Sequence, residues 1–257
     1  MLGKSLIKMA SSYEEVDLDD LQDCSHYLRK CCLVAPCCKK FFICRLCHDI
    51  SESHTLDRYS VEEIVCIQCK LKQAVTDRCI NCHIKFGHYA CLVCRMFDDR
   101  DKKQFHCDKC RICRIGGEEN FFHCPKCDMC LAIGIKESHK CIEKISRSDC
   151  PVCLEDMHTS RTPLLVPSCG HMIHEGCYSA MRKTGAITCP ICCKSYDDAA
   201  MVWKRLDEIV GATPLDDKYK DIKMKILCRD CHKESEAQFH IVGIKCGECG
   251  SYNTCQS

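Results

Sequence analysis

The chain has 257 residues, a formal net charge of +1 and 32 cysteines, about one residue in eight. The hydrophobic share of 46% includes those cysteines; without them it falls to about 34%, too thin for one large core. No run of eighteen apolar residues exists, which excludes a membrane-spanning helix, and the near-neutral balance lacks the basic excess that nucleic-acid binding needs.

Cysteine this dense means disulfides or metal, and three features select metal. The N-terminus is polar, and its apolar patch Leu6-Ile7 is too short for a secretory signal. Most cysteines occur as C-x2-C pairs, the spacing at which a tight turn sets two sulfurs about 2.3 Å from one Zn²⁺. Histidines stand beside them, as in Cys47-His48, His106-Cys107 and His123-Cys124. The expected compartment is therefore reducing, the nucleus and cytoplasm. The expected fold is an array of small metal-dominated modules with little regular secondary structure. Each folds around zinc, whose binding contributes on the order of 10 kcal/mol or more per site.

In chain order, residues 1–23 read as a disordered acidic leader around Glu14-Glu15-Val16-Asp17-Leu18-Asp19-Asp20. Residues 24–86 form the first module. Its twelve ligand candidates, enough for three zincs, are Cys24, His26, Cys37, Cys38, Cys44, Cys47, His48, His54, Cys66, Cys69, Cys79 and Cys82. Cys31 and Cys32 are surplus, with Cys31 the nearest rival to Cys37 or Cys38. His83 and His88 read as ordinary polar positions, and residues 57–65 as a short helix or strand.

Residues 87–143 form the second module, which repeats internally. His106-Cys107-x2-Cys110-x2-Cys113 recurs seventeen residues later as His123-Cys124-x2-Cys127-x2-Cys130. Cys91 and Cys94 open the array; His139 and Cys141 close it. Twelve ligands again give three zincs, with each turn donating to two metals in a row. Phe105, Phe121 and Phe122 read as caps on the small cores. Residues 142–149 read as a short polar linker.

Residues 144–195 carry Cys150-x2-Cys153, Cys169-Gly170-His171, His174, Cys177 and Cys189-x2-Cys192, eight ligand-type residues in the order Cys, Cys, Cys, His, His, Cys, Cys, Cys. Within 196–218, residues 196–210 show a helical period in Met201, Val202, Leu206, Ile209 and Val210, with Gly211 as its stop. Trp203 staples that helix to a neighbour. Residues 219–257 hold Cys228, Cys231, Cys246 and Cys249 at the spacing of a one-zinc ribbon, for which iron is the rival metal. Ile222, Met224 and Ile226, and then Phe239 and Ile241, alternate as strands do. With twenty-eight thiolates on about nine zinc ions, the formal +1 becomes roughly −9, which weighs further against nucleic acid.

The eight-ligand pattern resembles the RING finger of the two-histidine type. The opening Cys24-Ser25-His26-Tyr27 with its following pairs resembles the CHY zinc finger, and the repeat resembles the CTCHY zinc finger that follows CHY modules. The order CHY, CTCHY, RING and ribbon resembles, over nearly the whole chain, the family of the animal tumour-suppressor-targeting CHY–RING ubiquitin ligase and its plant relatives. The resemblance implies a cross-brace, in which Cys150, Cys153, His174 and Cys177 share one zinc and Cys169, His171, Cys189 and Cys192 share the other. It implies a RING-type ubiquitin-protein ligase with no catalytic nucleophile of its own. Such a protein docks a ubiquitin-charged conjugating enzyme and promotes transfer to substrate lysines, marking the substrate for proteasomal degradation. The docking positions that match are Val152, Met181 and Pro190. Many RINGs also carry a basic residue directly after the last ligand; here Cys193 takes that place and Lys194 follows. The implied partners are the conjugating enzyme, ubiquitin and protein substrates such as transcription factors, with self-association a further possibility. The competing reading is a non-enzymatic zinc scaffold or transcriptional cofactor. A redox role through Cys31, Cys32, Cys193 and Cys255 is a further alternative.

Overall fold

The computed structural model describes residues 24–257; the acidic leader read at 1–23 lies outside the described residues. The chain divides into two compact units, one ending at Phe121 and one running from Phe122 to Ser257. No helix of the described residues is long and apolar enough to cross a membrane.

In the first unit, β1 (Cys31–Val34), β2 (Phe41–Phe42), β3 (Glu63–Cys66) and β4 (Lys72–Ala74) make an antiparallel sheet in the order β2-β1-β3-β4. α1 (Arg45–Ser51) follows β2. The stretch 57–65 gives both a 3-10 turn, Arg58–Ser60, and the start of β3. β1 is buried on both faces, and its period of two splits it between two cores. Cys31 and Leu33 pack with Leu56, Val61, Ile64, Phe86 and Phe97, while Cys32 and Val34 pack with Val65. Cys31 is thus a core residue, and it is no rival to Cys37 or Cys38. Two hairpins complete the unit: β5 (Tyr89–Cys91) with β6 (Met96–Asp98), and β7 (Phe105–Cys107) with β8 (Ile112–Arg114). The Phe105 and Phe121 rings pack on each other at 5.6 Å.

In the second unit, β9 (Phe121–Cys124) pairs with β10 (Met129–Ala132), and β11 (Leu164–Leu165) pairs with β12 (Ile173–His174), which leads into α2 (Glu175–Lys183). These elements share one core in which Met129 and Leu131 pack with Met157, Met172 and Ile173. The stretch 142–149 is therefore more than a polar linker. Ile145 is buried in the same core, Ser146 Oγ donates to Asp128 O at 2.9 Å, and Arg147 pairs with Asp128 at 2.7 Å. Two apolar side chains, Ile142 packed against that core and Ile145 turned into it by a 3-10 turn, anchor this otherwise polar stretch.

α3 runs Ala199–Ala212. Gly211 lies inside it, and the helix stops at Thr213, whose hydroxyl donates to Ile209 O. Trp203 packs on Tyr252 at 6.1 Å, so the staple joins α3 to the C-terminal ribbon. The ribbon sheet has the order β14-β13-β15, from β13 (Lys223–Cys228), β14 (Glu234–Gln238) and β15 (Thr254–Gln256). Met224 and Ile226 lie on β13, with Ile222 just before it. The strand expected around Phe239 and Ile241 is displaced: β14 is the polar run before them. Its register sets Lys225 opposite Glu236 and Lys223 opposite Gln238, so pairing with β13 outweighs apolar alternation.

Candidate metal centres

Nine C-x2-C turns among the described residues share one backbone device. The residue after the second cysteine is left-handed: Lys70, His83, Arg95, Arg111, Asp128, Leu154, Cys193, His232 and Gly250 have φ between 52° and 75°. Its amide donates back to the carbonyl of the first cysteine, as from Lys70 to Cys66 (2.9 Å), Leu154 to Cys150 (2.9 Å), Cys193 to Cys189 (2.8 Å) and His232 to Cys228 (2.9 Å). For a residue with a Cβ this conformation costs on the order of 1 kcal/mol, and metal ligation offsets the sum. Backbone amides also donate to the sulfurs, as from Cys94 to Cys91 Sγ and from Cys127 to Cys124 Sγ, which favours the thiolate form a metal requires.

The ligand atoms converge in tetrads. Cys24, His26, Cys44 and Cys47 form one; Cys37, Cys38, His48 and His54 the next; Cys66, Cys69, Cys79 and Cys82 a third. Sulfur–sulfur separations are 3.6 Å for Cys24–Cys44, 3.5 Å for Cys44–Cys47 and 3.4 Å for Cys69–Cys79. A tetrahedron with metal–sulfur bonds of about 2.3 Å has edges of about 3.8 Å, while a disulfide needs about 2.05 Å. The donors therefore fit a tetrahedral Zn²⁺. α1 feeds two tetrads from adjacent positions, Cys47 to one and His48 to the other. His48 is oriented from behind: its Nδ1 bonds Asp49 Oδ1 at 2.9 Å, leaving Nε2 3.3 Å from Cys37 Sγ.

In the second module Cys91, Cys94, His106 and Cys113 converge, with His106 Nδ1 at 3.5, 3.3 and 3.7 Å from the three sulfurs. His106 and Cys113 thus separate from their neighbours Cys107 and Cys110, as expected of turns that donate to two metals. Cys124, Cys127, His139 and Cys141 form another group. His139 Nδ1 bonds Ile135 O and presents Nε2 to Cys124 and Cys141 at 3.4 and 3.0 Å. Cys107, Cys110, His123 and Cys130 complete the twelve ligand candidates of this module.

The pairs at 150–192 interleave. Cys150 and Cys153 meet His174 and Cys177, with Cys153 Sγ 3.3 Å from His174 Nδ1. Cys169 and His171 meet Cys189 and Cys192, with Cys189 Sγ 3.8 Å from His171 Nδ1. Gly170 makes this possible: its φ is +87°, and a Cβ there would fall 2.6 Å from Lys140 O. In the ribbon Cys228 lies 3.6 Å from Cys249, and Cys231 lies 3.7 Å from Cys246.

Comparison with known proteins agrees with this geometry. A CHY zinc finger model matches residues 24–89, a RING-type zinc-finger model residues 150–190 and a zinc-ribbon model residues 196–255. The E3 ubiquitin-protein ligase RZFP34 of Arabidopsis thaliana is 42% identical over 244 residues, covering 91% of this chain and 84% of that protein. The E3 ubiquitin-protein ligase SRFP1 of Oryza sativa subsp. japonica is 41% identical over 91% of this chain and 90% of its own length. The chain belongs to the CHY–RING ubiquitin ligase family. The zinc finger protein BRUTUS of Arabidopsis thaliana, 39% identical over 90% of this chain, matches over 19% of its own length.

The positions that the resemblance implies for docking are open to different degrees. Val152, at the tip of the first RING turn, is 41% exposed, and Pro190 is exposed at the tip of the last. Met181 is half-buried and packs on the RING core, so packing is part of its role. Two apolar neighbours that the sequence reading passed over are also open, Ile191 (51%) and Leu154 (75%). Ile191 had a signal, since it shares the last turn with Pro190.

The RING tail of this CHY–RING chain is held by its ribbon. Ser195 N–H donates to Asp230 Oδ1 at 2.8 Å. Asn253 Nδ2 donates to Cys193 O (2.7 Å), Asp230 Oδ1 (2.9 Å) and Ser195 Oγ (3.1 Å). Ser251 Oγ donates to Asp230 Oδ2 at 2.6 Å. Burial raises the pKa of the Asp230 carboxyl, but the Ser251, Ser195 and Asn253 bonds outweigh it and leave the group below its usual range. Nothing local in the sequence announces Asp230 or Asn253.

Proposed function

We propose that this chain is a RING-type ubiquitin-protein ligase that works by positioning. It docks a conjugating enzyme carrying ubiquitin as a thioester and holds that thioester where a substrate lysine attacks. Converting a free encounter into a near-attack geometry is its catalytic contribution. The observation that carries the reading is the interleaved pair of tetrads, which sets two turns with exposed apolar tips, Val152 and Pro190 with Ile191, on one small rigid frame. The attacked cysteine belongs to the conjugating enzyme, so no cysteine of this chain is assigned a catalytic role.

The finer assignments belong to this proposal. Val152, Met181, Pro190 and Lys194 contact the conjugating enzyme. Nine zinc ions are held: three by 24–86, three by 87–143, two by the RING and one by the ribbon. The modules flanking the RING recruit protein substrates, transcription factors among them, for proteasomal degradation. The protein works in the nucleus and cytoplasm, where its 32 thiols stay reduced.

The test is ubiquitination in vitro across a panel of conjugating enzymes, with the full zinc-loaded chain, Val152→Arg and His174→Ala. Ubiquitin chains or self-modification should form with the wild type and be lost in both variants. Val152→Arg should retain every zinc. A wild type that is inactive with every enzyme, yet binds about nine zincs, would overturn the ligase reading in favour of a scaffold.

A further inference from the structure

The backbone around Lys194 is satisfied from two sides. The last RING turn takes Cys193 N–H, on Cys189 O at 2.8 Å, and Lys194 O, which accepts from Cys189 N–H at 2.8 Å. The ribbon takes Cys193 O through Asn253, and Ser195 N–H through Asp230. Asp230 is itself fixed by Ser251 Oγ, whose residue precedes β15, and Arg229 N–H donates to Asn253 O at 2.9 Å. The clamp therefore ties the RING tail to a four-sulfur frame that has its own sheet. Cys193, Lys194 and Ser195 lie on one continuous stretch, and the half-exposed Lys194 side chain is its one cationic group.

We infer that the ribbon is a positioning arm of the ligase: Asp230 and Asn253 hold the RING tail so that Lys194 presents its ammonium to the docked, ubiquitin-charged enzyme. The inference rests on the ligase reading above. Its physical basis is preorganisation. A lysine on a free tail must be ordered at each encounter, whereas one on a clamped backbone has only its side chain left to order. Cys193 supplies no charge at the position directly after the last ligand, so the next residue has to be aimed, and the ribbon aims it. Asp230 and Asn253 are positioning residues, acting through Lys194.

The experiment is single-turnover discharge of a charged conjugating enzyme to free lysine by the full zinc-loaded chain. It compares wild type, Asn253→Asp, Lys194→Ala and the double variant. Asn253→Asp keeps the shape but turns a donor into an acceptor facing Cys193 O and Asp230. It should lower the saturated rate about 3- to 10-fold while leaving the half-saturating concentration and the zinc content unchanged. Lys194→Ala should cost a similar factor, and the double variant no more than either alone, because both act through one side chain. Multiplying effects, or a change confined to the half-saturating concentration, would overturn the inference. Amide exchange at Ser195 reports the clamp without any activity: it should be protected in wild type and quickened by Asn253→Asp, and equal rates would also overturn it. Asn253→Ala serves as the second variant should Asn253→Asp lose zinc. A wild type that discharges no enzyme in the panel overturns the ligase reading and the positioning role together, while the Ser195 exchange separates that outcome from a missing clamp.

Discussion

Asp49 orients a zinc ligand without being one. Its carboxylate holds His48 Nδ1 and also accepts Leu56 N–H at 2.7 Å, so the ring is fixed with Nε2 toward Cys37. Asp49→Ala should weaken zinc at the Cys37, Cys38, His48 and His54 tetrad about 10- to 100-fold, read by chelator competition, with the other sites unmoved. Cys31 and Cys32 behave oppositely to ligands. Burial pushes both thiols up to about 12, so they stay neutral and unreactive at physiological pH. The raised value stabilises the fold below the unfolded thiol pKa, near 8.5, and that contribution is lost as pH climbs from there toward about 12. Alkylation of the native protein at pH 7.5 should mark the exposed Cys193 and spare Cys31 and Cys32; modification of Cys31 before Cys193, seen by peptide mass mapping, would contradict this. Cys193→Arg should be tolerated by the fold, since Arg95 and Arg111 hold the same left-handed place in sister turns. It should raise lysine discharge, because it restores a cation directly after the last ligand.

At the scale of elements, what was legible follows from locality. Each C-x2-C turn carries its two ligands and its backbone closure within six residues, so the tetrads could be read pair by pair. The helix at α3 was legible from its period, and its true end at Thr213 was not, because a hydroxyl–carbonyl bond carries the helix through Gly211. β14 was missed because Glu234, Ser235 and Glu236 become a strand through pairing with β13. The attachment of α3 to the ribbon rests on Trp203 against Tyr252, and on Asp207 bonded to both Lys245 (2.6 Å) and Tyr252 (2.8 Å). The Lys245 ammonium and the Tyr252 hydroxyl together hold the Asp207 carboxyl below its usual range. That link is therefore complete above the ordinary carboxylate pKa and is lost as acid protonates Asp207. Asp207→Ala should quicken amide exchange along α3 at neutral pH while the ribbon keeps its zinc; unchanged exchange would show that the aromatic contact alone holds the helix.

At the scale of the molecule, the chain replaces one large core with metal tetrads and small apolar clusters, as its composition demands. The order of modules and their ligands was readable because ligation is chemically specific. The coupling between modules was not. Ile145 entering the RING core, and Asn253 reaching Cys193 across sixty positions, are contacts between segments that carry no local signature. The central claim is that the chain promotes ubiquitin transfer by docking and positioning, with no thiol of its own in the reaction. The measurement that tests it most directly follows a ubiquitin-charged conjugating enzyme discharging to lysine, resolved on non-reducing gels, with zinc-loaded wild type and Val152→Arg at matched metal content. The account predicts accelerated discharge by the wild type, loss of that acceleration in Val152→Arg, and no reductant-sensitive ubiquitin adduct on this chain. A thioester of ubiquitin on one of its own cysteines, or equal discharge by Val152→Arg, would contradict it.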